Sequence, residues 1–201
     1  EFFTQKDLVY MSNHIDFYFD IISPYAYIAY KKILKHKNIL LNYKPIFLGG
    51  LHNLEGITPP AFIKSKLNFM IRDCNMVAKK KNIPFTFNSK FPINSIKLMR
   101  GFLIIDKKIQ NKYLDIMFDA YWRDNLDVGD EEILNKLIKE CKINKDLFQK
   151  KIKEQTTKDK LRQNTQIAFE KEIFGAPTFV VSNQIFWGQD RLEYALDEYF
   201  N

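Results

Sequence analysis

Residues 15–27 read IDFYFDIISPYAY, a strand pattern that runs directly into a helix start. Apolar residues alternate with other types from Ile15 to Phe19, and this period of two is typical of a β-strand. Ser23 and Pro24 follow. Because serine is a preferred N-cap and proline is tolerated at the first helical position, a helix is predicted over Tyr25–His36. The sequence therefore predicts a helix N-terminus directly after the carboxyl end of a strand.

The flanking segments predict a β-α-β unit at one end of the chain and an α-β-β-α unit at the other. A second strand is predicted over Ile39–Tyr43, and parallel strands joined by a helix take a right-handed crossover. The closing helix is expected to take Asp190 as its N-cap. The elements predicted near the end of the chain are a helix over Lys158–Glu172, a hairpin of strands Thr178–Ser182 and Gln184–Trp187, and a helix over Asp190–Phe200.

The middle of the chain is predicted to be helical. Gly49-Gly50 and Pro59-Pro60 indicate a loop. After this loop, apolar residues recur at helical spacing in five segments: residues 63–78, 94–108, 111–124, 130–141 and 145–153. This order of elements predicts an α/β protein with a thioredoxin-like core and an inserted all-helical domain. Residues 14–56 and 156–201 would form the core, and residues 57–155 the insertion.

The composition favours a soluble protein without nucleic-acid or membrane partners. The chain has 201 residues, and its longest apolar runs are far shorter than the roughly 20 residues of a membrane span. Lys and Arg number 31 against 24 Asp and Glu, a net charge of +7. The lysine-rich stretches, Lys79–Lys81 and Lys150–Lys153, lie at predicted helix ends and on polar faces, where basic charge is favourable. No zinc-finger or RNA-binding pattern accompanies them.

The cysteines and histidines predict neither a disulfide nor a metal site. Cys74 and Cys141 lie at apolar positions of predicted helices and form no Cys-x-x-Cys, so buried inert thiols and a reducing, cytoplasmic location are expected. The three histidines, His14, His36 and His52, show no metal-ligand spacing, and no metal is predicted. Met11 looks like a natural start, so residues 1–10 are left out of the predicted fold.

Ser23 stands where the chemistry of the strand–helix junction is expected. A helix N-terminus offers unpaired N–H groups and a partial positive charge of about half an electron, which stabilises a thiolate. Redox enzymes with a Cys-x-x-Cys motif place their reactive cysteine at such a point, but here the two positions hold Ser23 and Ala26. Since no disulfide can form there, the thiol must come from another molecule. A serine hydroxyl can donate a hydrogen bond to an external sulfur anion.

Two motifs near the end of the chain accompany this junction. Residues 174–179 read FGAPTF, and residues 186–192 read FWGQDRL. Together with DIISPYAY at residues 20–27, they resemble the 2-hydroxychromene-2-carboxylate isomerase and kappa-class glutathione transferase family. The resemblance extends over roughly residues 14–200. It implies a thioredoxin-like fold of the DsbA type with a helical insertion, and it implies glutathione as the cofactor.

The resemblance also implies how glutathione is held. Ser23 would stabilise the glutathione thiolate. A cis bond before Pro177 would turn the N–H and C=O of Ala176 toward the glutathione backbone. Gln189 and Asp190, at the start of the last helix, would hold the γ-glutamyl end.

Further residues are assigned to the rest of the pocket by the same resemblance. Lys66 follows Pro59-Pro60 at the spacing where kappa-class relatives place a lysine on a glutathione carboxylate. Ile57 stands where those relatives often carry asparagine. Aromatic walls suit a flat ring, and the residues expected to line the pocket of the second substrate are Tyr25, Tyr27 and Trp187.

The leading expectation is a glutathione-dependent isomerase with a small aromatic or electrophilic substrate. The thiolate would add to a conjugated molecule such as 2-hydroxychromene-2-carboxylate, the ring would open, a bond would rotate, and elimination would return glutathione. One alternative is a kappa-like transferase that conjugates glutathione to an electrophile. Another is a non-catalytic thioredoxin-like module that binds peptides. A homodimer is the candidate assembly.

Overall fold

The computed structural model describes residues 14–201 and contains one mixed four-stranded sheet. Its strands are β1 (Ile15–Phe19), β2 (Leu41–Pro45), β3 (Thr178–Val181) and β4 (Gln184–Trp187), in the order β2-β1-β3-β4. β1 runs parallel to β2 and antiparallel to β3, and β3 runs antiparallel to β4. The predicted α/β class is confirmed. Residues 1–10, interpreted as an extension, lie outside the described residues.

Nine α-helices accompany the sheet within residues 14–201. They are α1 (Pro24–Ile33), α2 (Leu48–Leu54), α3 (Lys64–Lys80), α4 (Ile96–Ile104), α5 (Gln110–Trp122), α6 (Glu131–Glu140), α7 (Lys145–Lys151), α8 (Gln155–Glu170) and α9 (Leu192–Phe200). In this part of the chain, no helix has the length and apolar character needed to cross a membrane. The four strands come from residues 15–45 and 178–187. The division into a core and an inserted domain stays a prediction.

β1 lies inside the sheet, and both of its faces are covered. Phe17 stacks on Phe179 of β3 with ring centroids 5.3 Å apart, and Phe19 meets Phe102 of α4 edge-on at 5.2 Å. On the opposite face, Tyr18 joins a second apolar cluster that includes residues of α2 and α8. All five residues of β1 are therefore buried.

α2 replaces the loop that the sequence predicts around Gly49-Gly50, and that prediction is wrong. The Leu48 N–H at the start of α2 donates to the Asp20 carboxylate at 2.8 Å, and the helix packs against α8. The Phe47 ring lies against both glycines, and a Cβ at Gly50 would come within 2.8 Å of that ring. These tertiary contacts outweigh the low helix propensity of glycine, which costs about 1 kcal/mol per residue.

Other predicted boundaries shift by a few residues. β2 lies later than predicted and ends on Pro45, which an edge strand tolerates because one side of its backbone has no partner strand. α8 begins at Gln155, before its predicted start. α9 begins at Leu192, with Arg191 at the capping position, so the prediction that Asp190 caps this helix is wrong.

The two cysteines are free and buried, as predicted. Burial raises the pKa of Cys74 to about 12 and the pKa of Cys141 to about 11. Neither thiol is ionised near neutral pH, so neither can act in place of a cysteine at the strand–helix junction.

Candidate active site

The turn between β1 and α1 places Ser23 at a helix N-terminus. Ser23 has extended backbone dihedrals, and Pro24 takes the first helical position, as predicted. The Ile21 carbonyl accepts a hydrogen bond from the Trp122 indole at 2.8 Å, and the Ser23 N–H donates to the Asp20 carbonyl at 3.0 Å. The turn is therefore fixed by the protein's own contacts on both flanks.

The Ser23 hydroxyl makes two hydrogen bonds. Its oxygen accepts from the Ala26 N–H at 3.2 Å, which is an N-cap contact. Its proton goes to the Ala176 carbonyl at 2.8 Å, 153 positions along the chain. The carbonyl that the sequence analysis assigns to the glutathione backbone is thus taken by Ser23. The Ala176 N–H forms no hydrogen bond within residues 14–201 and stays open to a ligand.

The loop before β3 is also bonded to the residue that follows β4. The Ala176–Pro177 bond is cis, as predicted. The Pro177 carbonyl accepts from the Gly188 N–H at 2.9 Å, and the Thr178 hydroxyl donates to the Gly175 carbonyl at 2.7 Å. These contacts fix the loop that presents Ala176.

Asp20 is a fully buried carboxyl group beneath the same turn. One of its oxygens accepts from the Ile22 N–H at 3.1 Å, and the other accepts from the Leu48 N–H at 2.8 Å and the Ser95 hydroxyl at 2.9 Å. Burial raises the pKa of Asp20 to about 6, while the hydrogen-bond donors act against this rise. Asp20 thus links the starts of α2 and α4 to the Ser23 turn.

A cavity of about 950 Å³ lies at the Ser23 end of α1. Its size is at the upper end of the range for small-molecule sites, roughly 300–1,000 Å³. Five of the predicted site residues line it: Ser23, Tyr25, Lys66, Ala176 and Trp187. Much of the remaining wall is apolar and includes Ile22, Phe47, Leu48, Phe62, Phe69, Phe91 and Pro92.

Two basic side chains lie in this wall. Lys66 is the charged residue among the described lining residues; it is exposed and forms no ion pair within residues 14–201. His52 is buried, and burial lowers its pKa. No group of three or more metal-ligating side chains comes together in the described part of the chain. The polar chemistry of the wall therefore depends on isolated groups.

Trp187 and Phe174 form an aromatic corner of the wall. Their ring centroids are 4.9 Å apart, and Trp187 is 52% exposed. Gly175 packs closely against the indole. A Cβ at this position would be 2.6 Å from the indole nitrogen. The glycine of the FGAP motif thus makes room for Trp187, whose exposed surface is available to a flat ring.

The two tyrosines at the start of α1 lie on different faces of the helix. Tyr25 lines the cavity, and its hydroxyl donates to the Asp73 carboxylate at 2.8 Å. Tyr27 is two positions later, about 200° around the helix. It is fully buried, and its hydroxyl donates to the Pro84 carbonyl at 2.6 Å. The assignment of Tyr27 to the substrate wall is therefore wrong.

Gln189 and Asp190 lie outside this cavity. The Lys32 ammonium donates to the Gln189 carbonyl at 2.6 Å and to its side-chain oxygen at 3.3 Å. The Asp190 carboxylate is exposed and lies 3.4 Å from the Arg191 guanidinium. Their predicted role toward the γ-glutamyl end of glutathione stays a prediction.

Comparison with known proteins identifies the family to which this fold belongs. The family model described as a DSBA-like thioredoxin domain matches residues 14–200. The chain belongs to the DsbA-like thioredoxin family. The fold predicted from the order of elements is thereby confirmed.

The relatives of this DsbA-like chain include enzymes. The 2-hydroxychromene-2-carboxylate isomerase of Pseudomonas putida is 28% identical over 185 residues, which are 89% of this chain and 90% of the relative. Glutathione S-transferase kappa 1 of Caenorhabditis elegans is 27% identical over 201 residues, 91% of this chain and 89% of the relative. A solved 2-hydroxychromene-2-carboxylate isomerase structure matches with a TM-score of 0.82 at 25% identity, covering 91% of this chain and 92% of that one. The resemblance inferred from the motifs is confirmed.

Sequence reasoning missed three polar residues of this DsbA-like site. Asp20 carries a detectable signal, because a carboxyl group at the end of an apolar strand needs several donors if it is buried. Ser95 becomes recognisable only once α4 is placed against Asp20. From the sequence, His52 is examined only as a possible metal ligand. Its place in the wall depends on α2, and Gly49-Gly50 makes that helix hard to predict.

Proposed function

We propose that this protein is a glutathione-dependent isomerase that acts on a 2-hydroxychromene-2-carboxylate-like substrate. The observation that carries this proposal is Ser23 at the N-terminus of α1 without a reactive thiol of the protein beside it. Ala26 takes the second motif position, and both cysteines are buried. The names of the relatives support the cofactor and the reaction.

The residues of the site fit glutathione, which has a thiol, two amide bonds and two carboxylates. The thiol would lie at the helix end beside Ser23. The open N–H of Ala176 would donate to the glutathione backbone, and the free ammonium of Lys66 would bind a carboxylate. The exposed carboxylate of Asp190 would bind the γ-glutamyl ammonium. Gln189 is already bonded to Lys32 and would position the turn that carries Asp190.

The protein's own contribution is electrostatic stabilisation and orientation. When bound, glutathione would supply the nucleophilic thiolate for reversible addition to the conjugated substrate. The N–H groups and partial positive charge at the start of α1 stabilise that negative charge, and Ser23 can add one hydrogen bond. The aromatic corner of Trp187 and Phe174 holds the substrate ring, which fixes the distance between the two reactants.

Glutathione titration with 2-hydroxychromene-2-carboxylate tests the proposal. The isomerisation rate should saturate with glutathione, and the glutathione concentration should stay constant over many turnovers. Loss of one glutathione per turnover would identify a kappa-like transferase instead. Absence of glutathione binding in calorimetry would refute both enzymes and favour the peptide-binding module.

Lys66→Met tests how glutathione is held. An exposed ion pair contributes up to about 1 kcal/mol, so glutathione affinity should fall about two- to fivefold. Lys64→Met is the matched control, because Lys64 is exposed on the same helix outside the cavity wall. Equal effects of the two variants would show that Lys66 acts only through the net charge.

A further inference from the structure

His52 is a buried imidazole in the cavity wall that has no partner among the described residues. It is 9% exposed, and its side chain forms no hydrogen bond or ion pair within residues 14–201. It lies four positions after Leu48 on α2, so the two side chains share the face of α2 that lines the cavity. Its ring nitrogens are not among the fully enclosed unpartnered atoms of the described residues, so they remain accessible and can bond a ligand in the cavity.

His52 can both accept and donate a proton. Burial lowers its pKa, so near neutral pH the imidazole is uncharged, with one donor nitrogen and one acceptor nitrogen. The other titratable side chains of the described wall lack this combination. Lys66 is a cation without an acceptor, and the Tyr25 hydroxyl already donates to Asp73.

Asp20 connects the helix that carries His52 to the Ser23 turn, where the glutathione thiol would lie. Its carboxylate accepts from the Leu48 N–H at the start of α2, and its carbonyl accepts from the Ser23 N–H. The helix that carries His52 and the turn that carries Ser23 are therefore bonded to one buried residue. A substrate next to a thiol at Ser23 lies in the same cavity as the imidazole.

We propose that His52 transfers the proton that opens the ring of a 2-hydroxychromene-2-carboxylate-like hemiketal. This inference takes its substrate class from the proposed function. In the step, the bond between C2 and the ring oxygen breaks, and the C2 hydroxyl becomes a carbonyl. The hydroxyl proton passes to the acceptor nitrogen of His52, and His52 returns a proton to the ring oxygen, which becomes a phenol. The imidazole ends uncharged, and no other reactant is consumed.

In this proposal the ring opens before the thiolate adds, the reverse of the order expected from the sequence, so ring opening can be measured without glutathione. Exchange between the hemiketal and the open keto form of 2-hydroxychromene-2-carboxylate is followed by magnetisation-exchange NMR with the glutathione-free protein. The wild-type protein should accelerate this exchange over buffer. Since general acid–base groups typically contribute 10²- to 10⁴-fold, His52→Gln should lose about 100-fold or more of the acceleration. Imidazole added to His52→Ala should restore part of it.

Two further variants complete the test. Asn53→Ala, at an exposed neighbouring position outside the wall, should leave the exchange rate unchanged. His52→Phe is a second replacement that fills the site if His52→Gln does not fold, and circular dichroism reports folding in each variant.

The outcomes separate this proposal from the proposed function. Wild-type exchange at the buffer rate, or a His52→Gln or His52→Phe protein as fast as wild type, would overturn the role of His52 even if glutathione-dependent isomerisation is observed. Acceleration that depends on His52 supports it, even if no glutathione-dependent isomerisation follows. In that case only the proposed overall reaction fails.

Discussion

Ser23→Ala removes one hydroxyl group and has two consequences that can be measured separately. The first concerns stability. Loss of the N-cap contact with Ala26 costs about 0.5–2 kcal/mol. The Ala176 carbonyl also loses its donor at a residue that is only 9% exposed, which adds about 1 kcal/mol or more. The free energy of unfolding, measured by urea titration, should therefore fall by about 2–3 kcal/mol.

The second consequence concerns the pKa of the bound glutathione thiol. The Ser23 hydroxyl has a single proton, which the Ala176 carbonyl already accepts at 2.8 Å. Donation to a thiolate therefore exchanges a neutral hydrogen bond of about 0.5–1.5 kcal/mol for a charge-assisted one of about 1.5–3 kcal/mol. This exchange alone gains about 1 kcal/mol, close to one pKa unit, and a glutathione N–H bound to the freed Ala176 carbonyl would add to it. Ser23→Ala should therefore raise the pKa of the bound thiol by at least about one unit and lower isomerisation near neutral pH at least about tenfold.

Ultraviolet absorbance of the thiolate in the protein–glutathione complex, followed against pH, measures this pKa. Calorimetry first establishes that glutathione still binds to the variant. Ser23→Thr is the matched control, because threonine keeps a hydroxyl and also serves as an N-cap. An unchanged titration midpoint in Ser23→Ala, with glutathione bound, would contradict the reasoning and leave thiolate stabilisation to the helix N-terminus alone.

Two further predictions concern stability. The pKa of Asp20 is raised from 3.8 to about 6 in the folded protein. The protonated carboxyl group therefore stabilises the folded state; this contribution is fully present below about pH 4 and is lost as the pH rises through 6. The loss in the free energy of unfolding amounts to about 3 kcal/mol. Urea titrations at about pH 4 and about pH 7 should show this loss in wild type but not in Asp20→Asn, and equal pH dependence in both would contradict it. Gly101→Ala should lower the free energy of unfolding by about 1–3 kcal/mol through overpacking, because its Cβ would lie 2.5 Å from the Tyr113 hydroxyl and 2.6 Å from the Phe148 ring. A urea midpoint equal to that of wild type would refute this packing.

The parts of the site that follow local rules could be predicted from the sequence. A strand pattern, a serine cap and a proline at the first helical position define the junction, and these signals lie within residues 15–27. The class of the fold follows from the order of such elements. Local preference also explains why the two buried cysteines could be assigned from their apolar helical positions.

The rest depends on contacts between distant segments. Gly49-Gly50 has low helix propensity, and only the bond from Leu48 to Asp20 and the packing of α2 against α8 make that segment helical. Lys32 and Gln189 are 157 positions apart, and no local pattern connects them. Tyr27 is indistinguishable from Tyr25 by residue type, and the faces of α1 are defined only by what packs against them.

The bond between Ser23 and Ala176 reconciles the structure with the expectation that the Ala176 carbonyl faces glutathione. This bond joins the start of α1 to the loop before β3 and satisfies both polar groups. When a thiolate approaches the helix end, rotation of the hydroxyl toward sulfur also frees the Ala176 carbonyl, which can then accept an N–H of the glutathione backbone. The bond between Ser23 and Ala176 is thus exchanged for two bonds to glutathione, one from Ser23 to sulfur and one to the Ala176 carbonyl. The second can form only after the first has freed the carbonyl. In Ser23→Ala this coupling is lost, because the carbonyl is already free. In that variant, the thiolate should be less stabilised, but the glutathione backbone should bind as tightly as in wild type or more tightly. The affinity for S-methylglutathione, which has no ionisable thiol, measures backbone binding alone.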